Sequence, residues 1–207
     1  MKKKIVCIFG TRPEYIKIFP LIKMLKKERK IDLTIISTGQ HKELIERSFS
    51  SLKIKPDINL KVMRYNQDLS SLTSKLILKI DKSLREINPD FVLAQGDTTT
   101  TMTTSLVCFY LNIPFGHVEA GLRTYDLRNP FPEEVNRCFI SKISTLHFAP
   151  TKSNKKNLLK EQIDKNKIIV TGNTVIDTIK FLLKKKKIIN KINNSNKKNV
   201  LITIHRR

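Results

Sequence analysis

What most constrains this chain is a repeated pairing. A short, nearly continuous apolar run leads into a polar turn, and a stretch with apolar residues at helical spacing follows. The runs at 3–10, 31–39, 89–97, 113–121 and 145–151 are short and rich in β-branched and aromatic residues. They read as strands buried on both faces. The stretches at 13–28, 40–52, 69–87, 98–112 and 153–163 read as helices, and 166–177 as a further extended segment. Repeated βα units need crossovers between parallel strands, so the expected fold class is α/β, a Rossmann-like doubly wound parallel sheet. Pro13 suits the first turn of its helix, whereas Pro20 predicts a bend or a break.

In such a sheet the carboxyl ends of the strands open onto one crevice, and here they carry the polar residues. The first run ends at Gly10-Thr11-Arg12-Pro13-Glu14 and the second at Gly39-Gln40-His41. The third ends at Gly96-Asp97-Thr98 and the fourth at His117-Val118-Glu119-Ala120-Gly121. One such turn is only a cap, and Asp97 would make a good N-cap. Four together read as a ligand site.

Asp97 and Glu119 would flank a bound molecule there, and carboxylates in a dry cleft can move protons near neutrality. The loop "LRTYDLRNPFPEEVNR" adds Glu133 and Glu134, with Arg123, Arg128 and Arg137 suited to a phosphate or diphosphate. "GDTTTT" offers backbone N–H groups at a helix start, an anion site. Glu134 and Arg137 also fit a simple helix-start ion pair. A half-buried strand histidine is the plain alternative for His117 and His147, and it is the reading taken for His147. No GxGxxG follows the first strand and no GxxxxGK[ST] occurs, which counts against dinucleotide cofactors and P-loop chemistry. No cofactor and no metal are expected.

A formal charge of +22 raises the question of a polyanion partner. The excess is mostly lysine spread along the chain, densest in the low-complexity segment 184–199, with no interleaved aromatic residues. That favours solvated faces and an anionic small-molecule substrate over nucleic acid. Cys7, Cys108 and Cys138 lie far apart without ligand spacing, so buried, reduced thiols in a cytoplasmic protein are expected. The N-terminal apolar run is too short for a signal peptide, and none approaches bilayer length.

Six segments in order carry a resemblance: "FGTRPEYIK" (9–17), "TGQHKELI" (38–45), "GDTTTTMTTSLVCFY" (96–110), "GHVEAGLRTYDLRNPFPEEVNR" (116–137), "TGNTVID" (171–177) and the terminal "HRR". The chain resembles the non-hydrolysing UDP-N-acetylglucosamine 2-epimerases, enzymes of the GT-B fold with two Rossmann-like domains facing a cleft. The resemblance implies residues 1–168 as the first, sugar-side domain. Residues 169–207 would be the crossover and first strand of a second, nucleotide-binding domain that is otherwise absent.

It also implies interconversion of UDP-N-acetylglucosamine and UDP-N-acetylmannosamine. A base takes the C2 proton as UDP leaves C1, and UDP adds back to 2-acetamidoglucal with C2 protonated on the opposite face. By similarity Asp97, Glu119, Glu133 and His205 are catalytic, and Arg12, Lys17, Arg137 and Arg206 bind substrate. Gln40, His41 and Glu134 match a site for a second, activating substrate molecule. A homodimer is implied for the intact protein. The chain alone is expected to be inactive, with its missing half as a candidate separate partner. A glycosyltransferase of the same fold, an epimerase of a modified UDP-sugar and a basic binding module stand as alternatives.

Overall fold

The computed structural model describes residues 1–39, 52, 54–63, 66–184, 200 and 202–203. The helix read over 40–52 falls almost wholly outside them, as do Gln40, His41, His205, Arg206 and, in the terminal apolar run, residues 201 and 204. The described strands are β1 (Lys3–Phe9), β2 (Ile31–Ser37), β3 (Ile58–Asn59), β4 (Phe91–Gln95), β5 (Phe115–Val118), β6 (Leu146–Ala149) and β7 (Ile168–Val170). They form one sheet in the order β3-β2-β1-β4-β5-β6-β7, and every neighbouring pair is parallel. The order reverses between β1 and β4, the switch point at which open α/β sheets gather their ligands.

The described helices are α1 (Arg12–Leu25), α2 (Leu69–Ile87), α3 (Thr99–Tyr110), α4 (Glu133–Ile143), α5 (Lys152–Lys160) and α6 (Thr174–Lys184). Strand β1 shows why its sequence is continuously apolar. Val6 and Ile8 enter a core layer with Leu72, Leu76, Ile80 and Leu84 of α2. Cys7 and Phe9 enter the opposite layer with Tyr15, Ile18, Phe19 and Ile22 of α1. Residues at this spacing point alternately to the two faces, and each fully buried Ile or Leu contributes about 1.5–3 kcal/mol. Helix α2 has the bounds its periodicity predicts, with Asp68 accepting the Ser71 N–H at its start and Asn88 in the left-handed conformation at its end.

Three elements differ from expectation. Strand β3 has two residues, too few for a periodic signal, and joins the sheet through Ile36–Ile58 and Ser37–Asn59 pairing. The loop expected to reach residue 137 becomes helix α4 from Glu133. Strand β7 ends at Val170, and α6 starts at Thr174.

Pro20 does not break α1, which runs through it. A proline at 20 cannot donate to the carbonyl of Ile16 four residues earlier. The buried Thr178 hydroxyl of α6 donates to that carbonyl instead, at 2.7 Å. Phe19 and Phe181 pack with ring centroids 5.1 Å apart, and the Lys23 ammonium lies 3.6 Å from the Phe181 ring centre. The proline thus frees an acceptor that α6 uses to dock on α1.

The three cysteines are free. Cys7 and Cys108 are buried, and burial pushes the Cys7 thiol up to about 12 and raises that of Cys108 as well. Cys138, on α4, departs from the expected burial and is half-buried. No described helix is long and apolar enough to cross a membrane.

Candidate active site

Two carboxylate clusters and one buried brace stand at the carboxyl ends of β1, β4 and β5. Glu119 follows β5 and is held from three sides. The Lys17 ammonium of α1 reaches both carboxylate oxygens, at 2.8 and 2.7 Å. Gln95, at the end of β4, donates its side-chain amide to Oε2. Asn173, just before α6, donates to Oε1 at 3.0 Å. The Glu119 backbone has a φ of +69°, in the left-handed region that a residue with a Cβ rarely adopts.

Asp97 is the centre of the second cluster. The N-cap of α3 is Thr98, whose hydroxyl accepts the Thr101 N–H, so the Asp97 carboxylate is not spent on capping. It pairs with the guanidinium of Arg137, at 2.8 Å from Nε and 2.6 Å from the nearer terminal nitrogen. The Asn136 amide holds the Asp97 carbonyl at 2.8 Å. Glu133 and Arg137 stand one helical turn apart, on the same face of α4. Glu133 is half-buried and makes no hydrogen bond or ion pair among the described residues, so its carboxylate is uncommitted.

Glu134 is fully buried. It accepts the backbone N–H groups of Thr124 and Tyr125, at 2.9 and 3.0 Å, and pairs with Arg137 at 2.9 Å. Burial raises its pKa, but those N–H groups and Arg137 outweigh it and hold the carboxyl below its ordinary value. For Arg137 burial opposes the charge, and Asp97 and Glu134 together reverse the balance, raising its pKa.

Sequence reasoning missed the brace, Glu14. This buried carboxylate accepts the N–H groups of Gly10 and Thr11 and the hydroxyls of Thr98 and Thr101. Burial is the largest influence on it and raises its pKa despite those donors. The brace ties the β1 turn to the start of α3, so this helix end, read as an anion site, meets an internal carboxylate. A signal was present, because Thr11-Arg12-Pro13-Glu14 has the spacing of a capping box.

Behind the crevice, the His117 Nε2–H donates to the Gly96 carbonyl at 2.7 Å and steadies the turn before Asp97. His117 and His147 are fully buried rather than half-buried. Burial pushes their pKa values down to about 3 and about 4, so both imidazoles are neutral.

Arg12 is exposed at the first position of α1 and has no partner among the described residues. Arg123, whose type suits a diphosphate, is engaged inside the protein. Its buried guanidinium is bonded to Glu161 at 2.5 and 2.8 Å and to the Ser141 hydroxyl at 2.8 Å. Among the described residues no group of three or more His, Cys, Asp and Glu side chains is placed to hold a metal ion.

The family model for UDP-N-acetylglucosamine 2-epimerase matches residues 23–207. The chain belongs to the UDP-N-acetylglucosamine 2-epimerase family. The family's enzyme from Neisseria meningitidis serogroup A is 46% identical over 99% of this chain and 57% of its own length. The one from Bacillus subtilis is 44% identical over 100% of this chain and 55% of its own. The crystal structure of the N. meningitidis epimerase bound to UDP-GlcNAc superposes with a TM-score of 0.87 at 47% identity, over 91% of this chain and 51% of that one. The Methanocaldococcus jannaschii epimerase in complex with UDP-GlcNAc and UDP gives 0.84 at 41% identity, over 90% and 51%. The chain therefore spans about half the length of the family members it matches.

Proposed function

We propose that this chain carries the proton-transfer side of a UDP-N-acetylglucosamine 2-epimerase. The observation that supports it most is the arrangement of acidic groups at the β1/β4 switch point. Glu119 stands there with Lys17 and Asp97 with Arg137, and the uncommitted Glu133 lies one turn from that arginine. The C2 proton of the sugar is not next to a carbonyl, so direct deprotonation is unfavourable. Elimination solves this. As UDP departs from C1 with the bonding pair, a carboxylate takes the C2 proton and 2-acetamidoglucal forms. Re-addition of UDP with protonation on the other face of C2 completes the inversion.

Such a reaction needs carboxylates on two faces and cations at the departing diphosphate. Glu133 has the free carboxylate suited to exchanging a proton, and Asp97 and Glu119 are the other candidates. Arg12 faces solvent at the crevice mouth, where it and Lys17 would meet the sugar and diphosphate, and Arg137 sets Asp97. His205 and Arg206 are carried over from the family motif as leaving-group contacts, and Gln40 and His41 as contacts of a second substrate molecule. Glu134 serves as a brace of the 122–132 loop, because its oxygens are already engaged.

The second domain, begun in 169–207, would supply the uridine pocket, and the chain alone would be inactive. The intact protein would be a homodimer. Free cysteines and a nucleotide-sugar substrate support a cytoplasmic setting.

The test supplies the missing half as a separate chain and follows solvent deuterium into C2 of UDP-GlcNAc by mass spectrometry. Incorporation with both halves, and none with either alone, is expected. Absence of exchange with both halves present would refute the reading.

A further inference from the structure

We propose that Asn173 is a positioning residue for Glu119, tying the start of α6 to the carboxylate at the end of β5. Two contacts carry this. The Asn173 Oδ1 accepts the Val175 N–H at 3.1 Å, and the same side chain donates through Nδ2 to Glu119 Oε1 at 3.0 Å. Only the amide nitrogen can donate and only its oxygen can accept, so both contacts demand one orientation of the amide. Asn173 is thus the N-terminal cap of one element and a donor to the acid of another.

The surroundings make the link stiff. Gly172, with φ +83°, turns the chain out of β7 directly before Asn173. Helix α6 is then fastened to α1 by the Thr178 hydroxyl and the Phe19–Phe181 contact. Helix α1 in turn carries Lys17, the other donor to Glu119 Oε1. Glu119 is therefore clamped by two helices that are packed on each other. Through α6, the direction in which the chain leaves this sheet toward residue 185 is coupled to the placement of one acid. Lys17 supplies charge and Gln95 a donor from the sheet, whereas Asn173 is the donor that moves with α6.

The catalytic consequence rests on the epimerase reading, while the geometric part does not. Asn173→Asp separates capping from donation. Aspartate caps a helix as well as asparagine and has the same shape, but it presents an acceptor to Glu119. In the 207-residue chain, N173D should lower the melting midpoint by about 4 °C. In a Glu119→Gln background it should have no effect, because the glutamine amide can donate to the new carboxylate. Equal losses in both backgrounds would overturn the link.

In the protein completed by its second half, N173D should lower kcat for C2 exchange about tenfold or more while KM changes less than about threefold. An unchanged kcat would overturn the positioning role. A completed protein that exchanges nothing even when unsubstituted would refute the epimerase reading instead. The melting cycle would then decide by itself whether Asn173 holds Glu119.

Discussion

Thr178→Val should destabilise the chain, and Pro20 determines by how much. The Thr178 hydroxyl donates at 2.7 Å to the Ile16 carbonyl, the acceptor that a proline at 20 leaves without its helical partner. Valine keeps the shape of threonine but cannot donate, and Thr178 is 1% exposed, so water cannot replace the bond. A buried acceptor left unsatisfied costs about 1–3 kcal/mol. For a chain of this length that lowers the melting midpoint by roughly 2–12 °C.

Pro20→Ala supplies the missing N–H, and the Ile16 carbonyl regains an intrahelical donor. In that background Thr178→Val should cost under about 0.5 kcal/mol, so the two sites should show a coupling of about 1–2 kcal/mol in a double-mutant cycle. Urea unfolding followed by circular dichroism measures all four proteins. Equal costs of Thr178→Val in the unsubstituted chain and in the Pro20→Ala background would refute the reasoning. The hydroxyl would then be acting through something other than the carbonyl that the proline frees.

Acidification should destabilise the fold through the two buried histidines. Their pKa values fall from 6.5 to about 3 in His117 and about 4 in His147, so below pH 6.5 the unfolded chain binds protons that the folded chain refuses. Each histidine should remove about 2 kcal/mol between pH 7 and pH 5. His147→Leu should abolish its share, as read by urea midpoints at the two pH values, and an unchanged pH slope would contradict this. Gly121→Ala should destabilise by at least about 2 kcal/mol, because φ is +87° and the new Cβ would collide with the Asn154 carbonyl oxygen. A melting midpoint matching the unsubstituted chain would show that the α5 contact yields. Asp97→Asn should lower deuterium exchange at C2 in the completed protein about a hundredfold or more, with the melting midpoint within a few degrees. Near-normal exchange would remove Asp97 from the chemistry.

Strands such as β1 were legible because burial on two faces leaves a strong compositional trace. Val6 and Ile8 serve one core layer, Cys7 and Phe9 the other, and the run between Lys4 and Gly10 is apolar as a result. Strand β3 left no such trace, since Ile58 and Asn59 are held by the neighbouring Ser37 strand end rather than by a pattern of their own. At the site, Asp97 and Glu119 could be found from their places after strands, but their partners could not. Asp97 was free for Arg137 only because Thr98 took over the cap, a choice between adjacent residues that both cap well. Gln95 and Asn173 come from segments far apart in the chain, and only the sheet order brings them to Glu119. The break expected at Pro20 is absent for a similar reason. The proline's helix-breaking tendency is local, and the hydroxyl that offsets it arrives from residue 178.

The conformation of Glu119 connects the fold to the site. A left-handed φ costs a residue with a Cβ roughly 1–2 kcal/mol, and glycine would avoid that cost. Gly121, two positions on, takes its own positive φ in this way, under the Asn154 backbone. Position 119 cannot, if a carboxylate is to project there. The strain is offset locally instead. The N–H groups of Glu119 and Ala120 both donate to the Phe148 carbonyl of β6, at 3.0 and 3.1 Å. The side chain meanwhile accepts from α1, β4 and the start of α6. Each contact favours the same turn of the backbone, so the strained conformation is over-determined, which is how sites keep geometry that an isolated segment would abandon. The carboxylate is aimed by the sheet, not by its own loop. That makes the β5 turn sensitive to any change that moves β6, α1 or α6 relative to it.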